Sequence, residues 1–252
     1  MQFSAVLFDM DGVLVDTDRA IADLWHRLAS DSGLVLSDGD LKAHAFGCAP
    51  EHTVETLFAP LTEQDRAEVL ARVRAAEPDL ACEPVPHATD LVRALAAADV
   101  PLALVTGAST VRASRALDTL GLAGLFDTTV TWGEAARGKP APDCYLLAAR
   151  RLGLPAAECL VFEDTSSGVR AATAAGATCL GVSRGDRGAL RSSGARHAVP
   201  GFEAVSFRGN PAGAVLTVAD AEEFCLRSTA HQLDPVGEPG RSGSATEGSS
   251  LL

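Results

Sequence analysis

Short apolar segments alternate with amphipathic helical patterns along most of the chain. The apolar segments are too uniform for half-exposed strands, and such runs are typical of strands buried on both faces of a parallel sheet. Strands are predicted over residues 6–8, 101–105, 127–132, 159–162 and 178–182, and helices over 87–98, 110–120, 143–152 and 168–175. This alternation predicts an α/β fold with a doubly wound parallel sheet.

The stretch between the first two strands has only helical patterns, over residues 18–30, 41–46, 52–58 and 63–76. It is too long for a simple crossover, so residues 18–84 are predicted to form a small helical cap inserted after the first strand. Residues 1–17 and 85–226 would then form the core. Short helices and one strand near 214–218 are expected to complete it, and residues 232–252, rich in Gly, Ser, Pro and Glu, are predicted to be a disordered tail.

Polar residues follow the predicted strands at the points where they end. Asp9 and Asp11 come directly after the first strand. Alone, such a pair is better explained by a turn or a helix cap. Later strand ends are also polar, with Thr106, Gly107 and Ala108, then Lys139, then Glu163 and Asp164. Because the carboxyl ends of parallel strands lie along one edge of a sheet, these residues are expected to share one site.

The chemistry of this set points to a phosphoryl group. Four carboxylates call for a hard divalent cation with oxygen ligands, and Mg²⁺ is the expected cofactor. The Thr106 hydroxyl and the small residues that open the next helix form an anion-binding corner. Lys139 adds a compact positive charge. Transfer of a phosphoryl group uses the divalent cation, the anion-binding corner and the positive charge together, and a carboxylate can serve as the nucleophile.

Four segments resemble, in order, the signatures of the haloacid dehalogenase (HAD) superfamily: residues 9–17, 105–107, 138–143 and 162–168. The similarity covers about residues 3–183. With a helical cap after the first signature, the sequence is most similar to the branch that contains β-phosphoglucomutase and small sugar-phosphate phosphatases. The resemblance implies a Rossmann-like core and a phosphoric monoester hydrolase.

The resemblance also implies a role for each matching residue. Asp9 corresponds to the nucleophile that becomes an aspartyl-phosphate, and Asp11 to the general acid and base. Lys139 balances the charge of Asp9 and the phosphoryl oxygens. The implied Mg²⁺ ligands are Asp9, Asp164, the backbone carbonyl of Asp11, and Glu163 as a direct or supporting ligand. The implied phosphate-binding residues are Thr106, Gly107, Ala108 and Lys139.

The cap departs from the family pattern. Relatives often have an Arg shortly after the glycine that corresponds to Gly47, and this chain has none there. The candidate substrate-recognition residues are instead His44, Gly47, Glu51 and His52. The missing Arg favours a phosphatase for a small sugar or polyol phosphate over the alternative, a phosphosugar mutase. A noncatalytic binding module on the same fold is a third hypothesis, which the complete charge set disfavours.

Composition narrows the class of partner. The 252 residues have a formal net charge of −12, which disfavours binding to nucleic acid or to an anionic membrane. A small phosphorylated metabolite is the expected partner, and a monomer or weak dimer the expected state. The six cysteines are scattered without a C-x-x-C pair, so reduced thiols are expected. No signal peptide or membrane span is evident, and a cytoplasmic location is predicted.

Overall fold

The computed structural model describes residues 2–210, 213–218 and 222–228. The strands in chain order are β1 (Gln2–Phe3), β2 (Ala5–Phe8), β3 (Val15–Asp16), β4 (Glu83–Pro84), β5 (Leu102–Val105), β6 (Thr128–Val130), β7 (Cys159–Glu163), β8 (Thr178–Val182), β9 (His197–Val199), β10 (Val205–Asn210), β11 (Gly213–Val218) and β12 (Glu222–Leu226). The α-helices are α1 (Asp18–Asp31), α2 (Asp38–His44), α3 (Pro50–Leu57), α4 (Glu63–Ala76), α5 (Ala88–Ala97), α6 (Thr110–Leu120), α7 (Asp143–Arg151), α8 (Ser166–Ala174) and α9 (Arg187–Ser192).

The main sheet has six parallel strands in the order β6-β5-β2-β7-β8-β9. The predicted α/β fold with a parallel sheet is therefore confirmed, with β9 as a sixth strand that the sequence pattern did not predict. The central strand β2 is buried along its whole length and pairs with both β5 and β7. Phe8 lies level with Leu104 and Phe162, so the strands β2, β5 and β7 end at nearly the same height.

Helices cover both faces of this sheet because alternate side chains of each strand point to opposite sides. Phe8 and Leu104 belong to one apolar cluster, which includes buried residues of α5 and α6. Leu7 and Ala103 belong to the other cluster, which includes buried residues of α7 and α8. The sheet is thus packed between two apolar layers, as a doubly wound fold requires.

A second sheet, of order β1-β12-β11-β10, corrects the expectation for residues 187–226. Only the strand near residues 214–218 was predicted, and it corresponds to β11. The strands β10 and β12 pair antiparallel with β11, while β1 pairs parallel with β12. Phe224 and Leu226 of β12 are buried but the intervening Cys225 is exposed, so this strand has no uniform apolar run. The predicted tail, 232–252, lies outside the described residues.

The helices α1 to α4 have an apolar cluster of their own, which includes Trp25, Leu41, Val54, Phe58 and Val73. We call these four helices the cap helices. Helix α2 begins earlier than predicted, because Ser37 and Asp40 form a capping box. The chain enters and leaves this part through β3 and β4, which pair antiparallel. The predicted boundaries of the cap fall immediately after these two strands.

Two further findings concern the expected environment of the chain. No described helix has both the length and the apolar composition needed to cross a membrane. All six cysteines are free in the structure, as expected for reduced thiols. The predicted compartment and oligomeric state stay predictions.

Candidate active site

A buried ammonium group joins the ends of three neighbouring strands. Lys139 Nζ donates hydrogen bonds to Asp9 Oδ1 at 2.8 Å, to Glu163 Oε1 at 2.6 Å and to the carbonyl oxygen of Val105 at 3.1 Å. Tyr145 donates its hydroxyl proton to the same Glu163 oxygen at 2.6 Å. Asp9 follows β2, Val105 ends β5 and Glu163 ends β7, so the level strand ends place these groups around one lysine. We call Lys139, Asp9 and Glu163 the lysine cluster.

Burial governs the electrostatics of this cluster. Burial raises the pKa of Asp9 to about 7, although Lys139 opposes that shift. Burial alone would lower the pKa of Lys139, but Asp9 and Glu163 raise it above its usual value, so the ammonium stays charged. Burial, and then the neighbouring Asp9 and Glu163, raises the pKa of Asp164 well above its usual range. Three carboxylates therefore face one ammonium group, and a second cation is needed if all three carboxylates are to be ionised.

The donor atoms fit a divalent metal ion. Carboxylate oxygens of Asp9, Glu163 and Asp164 all lie within 4.8 Å of one another. Oδ1 of Asp164 is buried and accepts no hydrogen bond from the described residues. Gly12 approaches so closely that a Cβ there would lie 1.9 Å from Asp164 Oδ2. The excess of two negative charges and the free oxygen match Mg²⁺, which takes few protein carboxylates.

The predicted phosphate-binding corner lies between β5 and α6. Thr106 is buried, and its hydroxyl oxygen accepts a hydrogen bond from the backbone N–H of Ala108 at 3.0 Å. Gly107 lines the same cavity as Asp9 and Lys139, whereas Thr106 and Ala108 do not line it. Of the three predicted phosphate-binding residues of this corner, the structure places Gly107 in the wall of the cavity over Asp9.

The carboxylate of Asp11 is not among the three carboxylates, of Asp9, Glu163 and Asp164, whose oxygens lie within 4.8 Å of one another. Its Oδ1 accepts a hydrogen bond from the Thr17 hydroxyl at 2.6 Å and another from the guanidinium of Arg112. Arg112 Nη1 also donates to Oε1 of Glu77 at 2.9 Å, and the backbone N–H of Ser109 donates to the same oxygen at 3.0 Å. We call Arg112, Asp11 and Glu77 the arginine cluster.

Arg112 and Glu77 were not among the residues predicted from the sequence. Arg112 stands four residues before Ala116 and eight before Leu120, both of which are buried in α6. A charged residue on the apolar face of a helix was a usable signal that it would be buried beside a partner. Nothing comparable marked Glu77, which follows α4 in a short 3₁₀ turn.

Of the four candidate recognition residues of the cap, one lines the cavity that contains Asp9 and three lie elsewhere. Gly47 lines the cavity that contains Asp9, and a Cβ there would lie 2.2 Å from the hydroxyl oxygen of Thr165. Glu51 instead accepts hydrogen bonds from Trp132 Nε1 at 2.9 and 3.1 Å. The rings of His44 and His52 lie 5.8 Å apart, and neither lines that cavity. The placement of Glu51, His44 and His52 therefore does not support their predicted contact with substrate.

The cavity over Asp9 has a polar floor and an apolar roof. Its floor includes members of both clusters, and its roof consists of cap residues, among them Ile21, Leu24, Trp25, Val73 and Leu80. Its volume is about 70 Å³, well below the roughly 300–1,000 Å³ of ligand pockets. A larger cavity of about 500 Å³ lies beside Asp164 and contains neither Asp9 nor Lys139. A ligand of ordinary size could therefore reach Asp9 only if the cap residues moved away from the floor.

The comparisons with known proteins identify the family of this chain. Residues 3–176 match the family model described as haloacid dehalogenase-like hydrolase. The chain belongs to this family. Among curated relatives of this haloacid dehalogenase-like hydrolase, the validoxylamine A 7'-phosphate phosphatase of Streptomyces hygroscopicus subsp. limoneus is 33% identical over 183 residues, covering 71% of this chain and 85% of the relative. The fructose-1-phosphate phosphatase YqaB of Escherichia coli (strain K12) is 32% identical over 188 residues, covering 72% and 97%.

Among solved structures, a β-phosphoglucomutase from Clostridium difficile matches with a TM-score of 0.65, covering 79% of this chain and 91% of that one. At 20% identity this likeness shows the fold alone. The predicted family and branch are confirmed for this haloacid dehalogenase-like hydrolase. Its predicted enzyme class, a phosphoric monoester hydrolase, agrees with its curated relatives. The roles of individual residues stay proposals.

Proposed function

We propose that this protein is a Mg²⁺-dependent phosphatase that hydrolyses a small phosphomonoester, a sugar or polyol phosphate, through an aspartyl-phosphate on Asp9. The observation that supports this most is the lysine cluster with Asp164 beside it. It combines a nucleophilic carboxylate, a fixed positive charge and a set of oxygen ligands at the edge of one sheet. Phosphoryl transfer demands mainly positioning and charge neutralisation, and this arrangement supplies both.

In the first step, a carboxylate oxygen of Asp9 attacks phosphorus and the bond from phosphorus to the leaving oxygen breaks. Asp11 gives its proton to that oxygen, and the alcohol departs. In the second step, Asp11 takes a proton from water, which attacks the same phosphorus and returns Asp9 to its carboxylate form. Lys139 favours the ionised Asp9 throughout. A Mg²⁺ ion held by Asp9, Glu163 and Asp164 would neutralise charge on the phosphoryl oxygens.

The named relatives support a sugar or polyol phosphate as substrate. Fructose 1-phosphate and validoxylamine A 7'-phosphate, which appear in their names, are both phosphorylated compounds of the kind expected from the sequence. The apolar roof formed by the cap helices would exclude water from the reacting atoms when it closes over the substrate.

The phosphosugar mutase remains the alternative, and one observation disfavours it. A mutase of this kind returns the phosphoryl group to a second hydroxyl of the same sugar, and relatives of the branch often grip the substrate with an Arg shortly after the glycine that corresponds to Gly47. The segment after Gly47 provides no Arg for that purpose. The noncatalytic hypothesis is disfavoured because a binding module has no use for carboxylates whose burial must be offset by a lysine and a metal.

Phosphate release from p-nitrophenyl phosphate, with Mg²⁺ and with EDTA, tests the proposal. We expect EDTA to abolish release and Asp9→Asn to lower kcat by roughly 10³-fold or more, because an amide cannot replace the nucleophile. The control is Asp23→Asn, which alters an exposed carboxylate of α1 and should leave kcat unchanged. Metal-independent release, or an Asp9→Asn variant as active as the native protein, would contradict the proposal.

A separate screen distinguishes the two reactions. Phosphorylated sugars and polyols are incubated with the protein and Mg²⁺, and both free phosphate and isomerised sugar phosphate are measured. A phosphatase releases phosphate in proportion to substrate consumed. Isomer formation without net phosphate release would favour the mutase.

A further inference from the structure

The proposed reaction gives no role to Glu77. This residue is contributed by the 3₁₀ turn that follows the last cap helix, and its side chain is only 6% exposed. Its Oε1 accepts hydrogen bonds from Arg112 and from the backbone of Ser109. Its Oε2 is buried and receives no hydrogen bond from the described residues. Burying a carboxylate oxygen without a hydrogen-bond donor costs free energy, so Glu77 Oε2 is suited to accept a hydrogen bond from a ligand.

The cavity over Asp9 is where a substrate could bring a hydrogen-bond donor close to Glu77. Glu77 and Arg112 line that cavity together with Asp9 and Asp11. Asp11 is the group proposed to protonate the leaving oxygen, and Arg112 is hydrogen-bonded to it. The alcohol part of a substrate must therefore lie next to the arginine cluster.

Charge limits what this alcohol can be. Arg112 is paired with Asp11 and Glu77, and Glu77 matches its charge even when Asp11 carries the proton for the leaving oxygen, so the arginine cluster has no net positive charge. Lys139 is the other cation among the described residues that line the cavity, and it is engaged by Asp9 and Glu163. A second phosphate or a carboxylate on the substrate would thus find no uncommitted cation here. A hydroxyl group can donate to Glu77 Oε2 and accept from Arg112.

We propose that Glu77 and Arg112 bind a hydroxyl group of the leaving alcohol, so that the enzyme selects monophosphates of uncharged polyhydroxy compounds over esters with a second anionic group. This inference rests on the proposed function. The hydroxyl gives its proton in a hydrogen bond to Glu77 Oε2, while an N–H of Arg112 donates to the hydroxyl oxygen. The apolar roof would cover the C–H face of the same compound.

The test compares kcat/KM for three esters: fructose 1-phosphate, fructose 1,6-bisphosphate and p-nitrophenyl phosphate, which has no hydroxyl group. We expect the native protein to prefer fructose 1-phosphate to the bisphosphate by about tenfold or more, a preference that needs no variant to measure. In Glu77→Gln, the ratio of kcat/KM for fructose 1-phosphate to that for p-nitrophenyl phosphate should fall about tenfold, the loss typical of one hydrogen bond to a charged group. The relative rate on the bisphosphate should rise.

The matched control is Glu68→Gln, which changes an exposed glutamate of α4 and should leave both ratios unchanged. Arg112→Lys is the second variant; it keeps the charge but loses the planar fork, and it should also lower the first ratio. Equal use of the two fructose phosphates by the native protein would overturn the inference, as would an equal loss on all three esters in Glu77→Gln. Release from none of the esters would instead contradict the proposed function itself.

Discussion

The lysine cluster and the arginine cluster have the same composition but different surroundings. Each consists of one buried cation between two carboxylates. The lysine cluster is built within the core, since Asp9 follows β2, Glu163 ends β7 and Lys139 lies in the loop between β6 and α7. The arginine cluster joins a core helix, the loop after β2 and the end of the cap helices. One cluster lies entirely within the core, and the other is complete only when cap and core meet.

The different arrangement of the carboxylates explains why a lysine lies at the centre of one cluster and an arginine at the centre of the other. Lys139 sends its three N–H bonds to three oxygens in different directions, which a compact ammonium does well. Arg112 instead connects two carboxylates with separate nitrogens of one planar fork. Lys139 is one of only two lysines in the chain. The comparison thus locates the proposed phosphoryl transfer in the core and the proposed recognition of the leaving alcohol where cap and core meet.

The largest effect is expected from removing the cation of the lysine cluster. Lys139→Met should lower kcat by roughly 10³-fold, because the phosphoryl oxygens and Asp9 lose their balancing charge. It should also lower the free energy of unfolding by about 3–5 kcal/mol, since two buried carboxylates are left uncompensated. Steady-state kinetics and urea unfolding measure the two effects. Arg112→Met is the matched variant, and a greater loss of kcat there than in Lys139→Met would reverse the comparison.

The next largest effect is expected on the pH dependence of the stabilisation by Mg²⁺. The folded pKa of Asp9, about 7, is above its value of 3.8 in the unfolded chain, so the metal-free folded state binds the extra proton between these values. Its contribution to stability is therefore greatest at low pH and is lost as the pH rises toward 7. Mg²⁺ can take the place of that proton, so we expect it to raise the Tm more above pH 7 than near pH 5.

Thermal unfolding with and without Mg²⁺ at the two pH values measures this difference. Glu77→Gln serves as the control, because Glu77 belongs to the arginine cluster and should leave the pH dependence of the Mg²⁺ shift unchanged. An equal rise in Tm at both pH values would show that the ion does not replace a proton on the lysine cluster.

The smallest effect is expected at the outer contact between cap and core. Glu51 of α3 accepts the hydrogen bond of Trp132 Nε1, and Arg74 of α4 lies over the Trp132 ring at 5.3 Å. Trp132→Phe keeps an aromatic ring but removes the hydrogen-bond donor. The closed position of the cap should lose about 0.5–1.5 kcal/mol of stabilisation, and KM should rise about threefold. Values of kcat should change less.

Steady-state kinetics on fructose 1-phosphate separate KM from kcat for this variant. Glu51→Gln is the matched control, because it keeps an acceptor for the indole N–H and should change KM less. A fall in kcat as large as that of Lys139→Met would mean that Trp132 acts on the chemistry and not on the closing of the cap.

Local sequence determined the core of this protein and most of its proposed chemistry. A uniformly apolar segment that ends at Asp9 is sufficient to predict a buried strand with a polar carboxyl end. The parallel alternation then implies that Asp9, Lys139, Glu163 and Asp164 meet, because parallel strands end at the same edge of a sheet. No long-range detail was needed for that conclusion.

The tertiary structure alone decided the second sheet and the closure of the cap. Strand β12 is stable only because it pairs with β11 and with β1, more than 200 residues away in sequence. The meetings of Arg112 with Glu77 and of Glu51 with Trp132 depend on how the cap helices are oriented on the core. That orientation results from packing between surfaces, which the periodicity of either segment by itself does not encode. The sequence therefore predicts the family and the proposed reaction, and the folded molecule shows how cap and core meet over Asp9.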